Sequence, residues 1–462
     1  MQKLKVIFIR KKQIKRNFAG WILLFSLPIY SALSYAQISS LGLSPAANTT
    51  SDFVDSSLVR DSNIDQPLDL LNDFYPSIQV TIANHDNVRR RSDLDESDTR
   101  LTITPALAYR TNFGQHQFYA AYTGSFIFHD ELGQEDVSAN ILNAQLGLDL
   151  GRRFDLNLFG RIAETFEERG ASGSRTFNEL LIGEDTGPDE VSTDSFGFDL
   201  IYGRKISRFG ATLGYDRNST EFTNNLQGDN NLTGNRDRNS DSWHLDVSYL
   251  IGTRTTAFVR YQFTETDFDR EFNSLDSDQD DYLIGLRWKP ANSLSGAIGI
   301  GATERDFSDS TREDYEGERY YANLNYAFSP FSNLTFGASR NVEEPSDLES
   351  DFFISDLLGV NFDHSFTPLI GFNAHVKWIE DDFNSGREDE FFDWGVALNY
   401  NFRSWLTAEI FYSEVERDSN DAGFDFSDRL FGVTFRFDLR GILNRNNGGN
   451  ELNSFKYPRA VR

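Results

Sequence analysis

The sequence predicts an all-β protein, a transmembrane antiparallel up-and-down β-barrel of about eighteen strands, with sixteen as the alternative count. Three observations lead to this fold. Apolar and polar residues alternate over about ten positions in many successive segments, short turns and long acidic loops alternate between these segments, and an export signal precedes them. Alternation of this kind gives each strand one face for lipid and one for a polar interior.

The first 36 residues have the composition of a secretory signal peptide. Seven basic side chains and no acidic one occur there, and an apolar run from Phe18 to Leu33 leads to Ser34-Tyr35-Ala36. We expect cleavage before Gln37. A membrane anchor helix is the alternative, but the run spans only about 16 residues and contains Pro28, whereas a spanning helix needs about 20.

The balance of charge argues against a nucleic-acid partner. Removing the seven basic residues of the signal from the 44 Lys and Arg leaves 37 against 71 Asp and Glu, a net charge of −34. Nucleic acid needs a basic surface. The chain has no cysteine, so disulfides and thiolate metal sites are excluded, and no residue pattern calls for a cofactor.

The chain is expected to divide into a signal peptide (1–36), a polar periplasmic leader (37–76), the transmembrane barrel (77–439) and a periplasmic tail (440–462). The leader is rich in Ser, Asn and Asp, and a small plug or docking element is the alternative for it. Strands are expected at 77–85, 99–110, 115–128, 137–150, 153–167, 193–205, 208–222, 241–251, 254–268, 280–289, 294–307, 317–329, 333–343, 352–366, 369–382, 389–402, 404–417 and 427–439.

The connections predict the orientation. Short ones such as Thr111-Asn112-Phe113-Gly114 and Gly151-Arg152 have turn residues, and they alternate with long acidic segments such as those after His85 and Phe166. Barrels of the outer membrane have short periplasmic turns and long external loops. We therefore expect both termini in the periplasm, which an even number of strands allows.

The stretch from Glu390 to Phe402 shows the two faces clearly. Its lipid face is predicted to carry Phe392, Trp394, Val396, Leu398, Tyr400 and Phe402, and its interior face Asp393, Gly395, Ala397, Asn399 and Asn401. The same reasoning assigns charged residues to a candidate lumen wall, namely Arg161, Asp199, Asp246, Arg260, Arg287, Lys377, Asp393, Glu409 and Arg436. These side chains form either a selective solute track or a solvated interior whose charges neutralise one another.

The last strand, Arg429 to Leu439, resembles the C-terminal signal that the barrel-insertion machinery recognises. Gly432, Phe435 and Phe437 stand at the matching spacing. Leu430 departs from the pattern because a polar residue is usual there, and the chain continues for 23 residues beyond the strand. We therefore predict an internal insertion signal, with lipid, lipopolysaccharide and the insertion machinery as partners.

Neither a calcium-binding loop nor a catalytic centre is the leading interpretation of these residues. The stretch Asp276 to Asp281 resembles the start of a calcium loop, but the sixth position is Asp281 rather than Gly, so an EF-hand is excluded. Weak binding of divalent cations by the acidic loops as a group remains an alternative. The chain has six His but no G-x-S-x-G motif, so an outer-membrane hydrolase is a distant third hypothesis.

The segment from Tyr75 to Gly124 carries a recognisable order of motifs. It contains Asp86-Asn87-Val88-Arg89-Arg90, then Pro105 in a strand, a turn and His116-Gln117-Phe118. In this order the chain resembles the putative β-barrel porin 2 family, and the resemblance extends as a pattern to about Leu439. It implies an outer-membrane barrel often encoded with exopolysaccharide or capsule systems, and it assigns no functional residues.

Two functions follow as hypotheses. The first is a porin-like channel, because an interior enclosed by about eighteen strands is wide enough for water unless it is plugged. The second is a non-conducting accessory or structural barrel that holds partners in a polysaccharide export assembly.

Overall fold

The barrel closes on itself. A computed structural model describes residues 73–439 except 93–95, 173–186, 204–206, 225–235, 270–274, 292, 347–349 and 422. In this part of the chain eighteen antiparallel strands each pair with their sequence neighbours, and β1 also pairs with β18. The predicted fold class and the count of eighteen are confirmed. The signal peptide, most of the leader and the C-terminal tail lie outside the described residues.

The strands are β1 Asp73–His85, β2 Asp98–Phe113, β3 His116–His129, β4 Val137–Asp149, β5 Phe154–Phe166, β6 Glu190–Tyr202, β7 Phe209–Phe222, β8 Arg238–Leu250, β9 Thr255–Phe268, β10 Ser277–Ala291, β11 Leu294–Phe307, β12 Tyr315–Ser329, β13 Ser332–Glu343, β14 Phe353–Ser365, β15 Ile370–Phe383, β16 Glu388–Arg403, β17 Leu406–Ser419 and β18 Phe426–Asp438. A short 3-10 helix, Gly133–Glu135, lies between β3 and β4. No helix among the described residues is long and apolar enough to span a membrane.

The first strand begins earlier than the sequence indicated. β1 starts at Asp73 and pairs with Arg110 of β2 there, so residues 73–76 belong to the barrel and not to the expected leader. The turn expected at Thr111 to Gly114 is likewise shorter, because β2 continues to Phe113. Gly114, with φ +68°, provides the left-handed conformation that this tight turn needs.

The two ends of the barrel differ in their connections. At one end, here called the turn end, the connections have two to six residues, and Asp73 and Leu439 also lie there. At the other, here called the loop end, the connection between β5 and β6 alone has 23 residues. The short-long alternation predicted from the sequence therefore holds, although the last two loop-end connections, after β15 and β17, are short as well.

Side chains alternate between the two faces of the sheet. On β10, Ile284 is 59% exposed and Leu283 is 5% exposed, and on β9, Val259 is 56% exposed and Arg260 is 4% exposed. The outward series is apolar and the inward series is mostly polar, as lipid outside and water inside require. The period of two in the sequence predicts these faces because successive residues of a strand point to opposite sides.

At the loop end, the apolar outward face of the sheet ends in a girdle of aromatic residues. The polar atoms of these residues are hydrogen-bonded to carboxylates. Outward Tyr and Trp side chains donate hydrogen bonds to outward acidic groups, mostly on the next strand. The pairs are Tyr215 with Asp241, Tyr261 with Asp280, Tyr320 with Asp356, and Trp378 with Glu390. Amphipathic rings prefer the membrane interface, with the ring toward lipid and the polar atom toward water. These pairs therefore mark the boundary of the membrane at this end.

The closure of the barrel depends on close packing at one glycine. Ser77 to His85 of β1 pair with Asp438 to Leu430 of β18. A Cβ on Gly432 would lie 2.7 Å from Ala83 Cβ and 2.8 Å from Phe411 Cζ. Ala83, Phe411 and Leu430 form a buried apolar cluster with Ala397 there. A side chain at position 432 would therefore separate β18 from β1.

Ile284→Arg should impair insertion, because it places a charge on the face that contacts lipid. The cost near the middle of the membrane is about 2–4 kcal/mol. Gln262→Arg, on the inward face of the adjacent β9, should be nearly neutral. Heat-modifiable mobility of the purified barrels in gels measures the folded fraction, and equal defects in the two variants would contradict the assignment of faces.

Gly432→Ala should lower the free energy of unfolding by about 1–3 kcal/mol, the usual cost of overpacking. Gly147→Ala is the matched control, because a Cβ there meets its nearest atom, Asn157 Oδ1, at an ordinary 3.5 Å. Urea titration of refolded barrels gives both values. If Gly432→Ala proved as stable as Gly147→Ala, close packing would not explain the glycine.

Candidate functional site

The polar interior of the barrel is the candidate functional site. All nine residues predicted for the lumen wall occupy inward register positions, as the pairing of Asp246 with Arg260 and of Lys377 with Asp393 illustrates. The structure therefore places them on one continuous surface, but it does not bring all nine together. They fall into separate small groups around the wall.

One group joins three of the predicted residues. The Asp246 carboxylate, only 4% exposed, accepts hydrogen bonds from Arg260 at 3.3 Å and from Arg287. The Arg287 guanidinium also lies 4.1 Å above the ring of Phe258. A buried carboxylate shared by two guanidinium groups is rigid, because each bond is charge-assisted. The one carboxylate offsets one of the two guanidinium charges.

Two predicted aspartates pair with histidines that the sequence did not assign to the wall. Asp199 lies 3.4 Å from His244, and Asp393 lies 3.2 Å from His375. In both cases the histidine faces inward on a different strand. The alternation of faces places His244 and His375 inward, but only the register shows which carboxylate each one meets.

Four other predicted wall residues have fewer oppositely charged partners among the described residues than the groups above. Arg161 and Lys377 make no hydrogen bond or ion pair within the described part of the chain. Arg436 donates to Gln79 Oε1 at 3.1 Å, and Glu409 is near it.

A segment that the sequence did not single out crosses the interior at the loop end. It consists of Glu167 to Ser172 and follows β5; it is here called the crossing segment. Its ion pairs join Glu167 to Arg236, Glu168 to Arg90 and Arg169 to Glu135. Ser172 Oγ donates to Asp381 of β15 at 2.8 Å. Because β15 is nearly opposite β5 in the eighteen-strand order, this segment spans the mouth.

Arg90 holds the crossing segment to the barrel wall. Its guanidinium donates to Asp428 of β18 at 2.8 Å, to Glu168 at 3.3 Å and to the Arg169 carbonyl at 3.1 Å. Burial by itself would lower the pKa of Arg90, but Glu168 and Asp428 raise it above its ordinary value. The group therefore remains charged at every physiological pH.

The loop that presents Arg90 is built from the motif Asp86 to Arg90. Asn87 donates to the carbonyls of Arg91 and Ser427, and the Arg429 amide donates to Asp86. Arg90 itself has φ +50°, an uncommon conformation for a residue other than glycine. Fixing this turn against β18 places the guanidinium over the mouth, which gives the motif a structural role.

The crossing segment has a second attachment at Glu135 of the short helix. Arg169 donates two hydrogen bonds to it, at 2.8 and 2.9 Å, and Arg89 lies 3.6 Å away. Next to Arg169, Gly170 has φ +63°, and a Cβ there would lie 2.6 Å from the ring of Phe426. The chain therefore needs a glycine at this point.

These contacts leave little open space at the loop end. Inward residues of β15 to β18 are buried there, including Asp381, Asp389, Arg417 and Asp428. A cavity of about 40 Å³ lies among His85, Arg90, Arg100 and Glu168. The described inward side chains are therefore closely packed on this side of the barrel.

The described residues do not assemble a hydrolytic triad. Ser332 Oγ and His364 Nδ1 lie 2.8 Å apart at the turn end, on the outward face. Among the described residues, no carboxylate or amide oxygen accepts a hydrogen bond from His364, and a triad needs such a group to orient the imidazole. In the same part of the chain, no three His, Asp or Glu side chains cluster as metal ligands would.

Comparison with known proteins identifies one family and several similar barrels. The model of the family described as putative beta-barrel porin 2 matches residues 74–439. Among solved structures, Pseudomonas aeruginosa OccK3 (OpdO) is 12% identical, with a TM-score of 0.41 over 80% of this chain and 97% of that chain. Pseudomonas aeruginosa OpdK with vanillate is 9% identical, with a TM-score of 0.42 over 79% and 98%. Acinetobacter baumannii OccAB4 is 12% identical, with a TM-score of 0.42 over 79% and 97%. No curated protein matches the sequence.

Arg90→Ala should release the crossing segment while leaving the barrel intact. The substitution leaves Asp428 and Glu168 in a buried region without their shared cation, which is unfavourable. Limited trypsin digestion should then cut after Arg169 several times faster than in the wild type. Arg217→Ala, which removes an exposed ion pair with Asp241 on the outward face, is the control. Equal digestion of both variants would contradict the proposed attachment.

Proposed function

The chain belongs to the putative β-barrel porin 2 family, and on this premise we propose that it is a porin-like channel of the outer membrane, linked to export of exopolysaccharide or capsule. The channel proposal rests on one observation, the inward face of a closed eighteen-strand barrel. That face is mostly polar, and at the turn end its side chains are half-buried. A barrel whose only role was structural would have no need of a hydrated interior.

The proposed orientation has the loop end outside the cell and the turn end in the periplasm, as in other outer-membrane barrels. The carboxylates beyond the aromatic girdle would then lie beside lipopolysaccharide. Outer-membrane lipid and lipopolysaccharide are the surroundings proposed for the outward face. Gly432, Phe435 and Phe437 of β18 are proposed to engage the barrel-insertion machinery, with Phe435 exposed on the outward face.

The accessory barrel is the second candidate, and the crossing segment favours it. Ion pairs to Arg90, Glu135 and Arg236 hold this segment across the loop end, and a mouth held in this way passes only small solutes or none. Such a barrel would serve a polysaccharide export assembly by holding partners. Whether the mouth opens is therefore the question that separates the two functions.

Planar-bilayer recording of the purified full-length barrel tests the proposal. Stable conductance steps support the channel. Persistent silence from protein that inserts and shows heat-modifiable mobility would overturn it. If deleting the gene then also abolished surface polysaccharide, the accessory barrel would be the remaining function. Normal surface polysaccharide after deletion would argue against the export link itself.

If the barrel conducts, Arg161→Glu should shift ion selectivity toward cations, because the Arg161 charge faces the lumen without a described partner. Reversal potentials in a salt gradient measure the shift. It should diminish near 1 M salt, where the Debye length is about 3 Å. Arg217→Glu on the outward face is the control, and an equal shift in this variant would mean that Arg161 is not on the ion path.

A further inference from the structure

The turn end of strands β7 to β10 carries a concentration of positive charge. The stretches 208–215, 244–261 and 283–291 together contain five Arg and Lys residues and one acidic residue, Asp246. The whole chain has the opposite balance, with 44 Lys and Arg against 71 Asp and Glu. A basic sector of this kind raises the local concentration of anions, because its field is not cancelled by nearby carboxylates.

Four of the five cations surround a neutral part of the inward face. They are here called the basic cluster, namely Arg208, Arg254, Arg287 and Lys289. The Leu250 amide donates to the Arg208 carbonyl at 2.7 Å, and the Lys289 amide donates to the Arg254 carbonyl at 2.9 Å. Both bonds continue the strand ladders. Leu250 is opposite Thr256, which is opposite Arg287, so the four cations occupy inward register positions around Leu250 and Thr256.

The basic cluster is accessible from the turn end. Arg208, Arg254 and Lys289 are exposed, and within the described part of the chain no carboxylate forms an ion pair with them. The side chain of Arg287 is 18% exposed, and it shares the Asp246 carboxylate with a second arginine. Three exposed cations therefore lie at the opening, and a fourth lies deeper in the wall.

One contact orients the outer part of the cluster. Arg254 Nη1 donates to the carbonyl of Pro290, in the connection that follows β10. This bond holds the guanidinium beside Lys289, its neighbour across the ladder. A side chain that is already positioned loses less conformational entropy when it binds a ligand.

The spacing of the cations selects an anion with more than one charged group. Arg208 and Arg287 are three strand intervals apart, which separates their backbones by roughly 14 Å. A single small anionic group cannot contact both. A guanidinium binds the paired oxygens of a carboxylate or phosphate, and a lysine adds a point charge. Neither Leu250 nor Thr256 between them opposes an anion.

We infer that the basic cluster binds a small polyvalent anion, which enters the barrel from the turn end. Carboxylate and phosphate groups share the chemistry that these cations recognise. The inference rests on the proposed function for the orientation of the barrel, since only then does the cluster face the periplasm. It adds the charge of the solute, a property that the channel proposal leaves open.

Isothermal titration calorimetry on the full-length barrel in nanodiscs of zwitterionic lipid tests the inference without requiring conductance. The probes are citrate and tripolyphosphate, and the control is triethyl citrate, in which the same skeleton carries no charge. Both anions should bind at low salt, the ester should not, and binding should weaken as salt screens the exposed charges. The tighter of the two anions identifies the preferred group. No binding of either anion, or equal binding of the ester, would overturn the inference.

Two double variants localise the site. Arg208→Gln with Lys289→Gln removes two charges of the basic cluster and should weaken citrate binding at least about fivefold, which corresponds to about 1 kcal/mol. Arg152→Gln with Arg153→Gln removes two exposed charges from the turn between β4 and β5, at the same end of the barrel, and should bind as the wild type does. Heat-modifiable mobility verifies that both variants are folded. Equal loss in both would show that the cluster is not the site.

Current recording gives the direction of entry and separates this inference from the proposed function. In a conducting barrel, citrate added at the turn end should reduce the current at a lower concentration than citrate added at the loop end. The reverse order would contradict entry from the turn end. A silent barrel that binds citrate would refute the channel and leave the basic cluster as a binding site. A conducting barrel that binds neither anion would refute the cluster and leave the channel.

Discussion

A strand in lipid has no water to satisfy its backbone N–H and C=O groups, and this constraint determines the rest of the structure. It requires a closed sheet, and closure here joins β1 to β18 along Ser77 to His85. The glycine at position 432 lets the two strands approach. Once the sheet is closed, every second side chain points into a space that lipid cannot reach, and polar residues become favourable there.

The interior formed in this way is not uniform. At the loop end, Arg90 and Arg169 pair with Glu168 and Glu135, and these ion pairs hold the crossing segment over buried carboxylates of the wall. At the turn end, inward asparagines such as Asn361 and Asn373 are half-buried. The two ends of the interior therefore differ in how closely their inward side chains pack.

The motif at Asp86 to Arg90 connects the family resemblance to this arrangement. Its residues fix a strained turn beside β18 and thereby place one guanidinium between strand and crossing segment. A buried charge of this kind stabilises little on balance, but removal of one partner costs several kcal/mol because the other charge remains buried. The motif therefore contributes more to the placement of this guanidinium than to the stability of the barrel.

The sequence alone predicted about eighteen strands, with sixteen left open. It also predicted the two faces and the inward placement of wall residues such as Arg161 and Asp246, because a period of two depends only on local backbone geometry. It missed the four residues of β1 before Ser77, whose strand pairing has no local signal. It also missed Arg90, Glu135, Asp381 and the crossing segment as a group. Ser172 and Asp381 are 209 positions apart, and only the closed barrel brings them within hydrogen-bond distance. Which inward charges neutralise one another, and which remain free to act on a solute, depends on strand register and loop path, and these exist only in the tertiary structure.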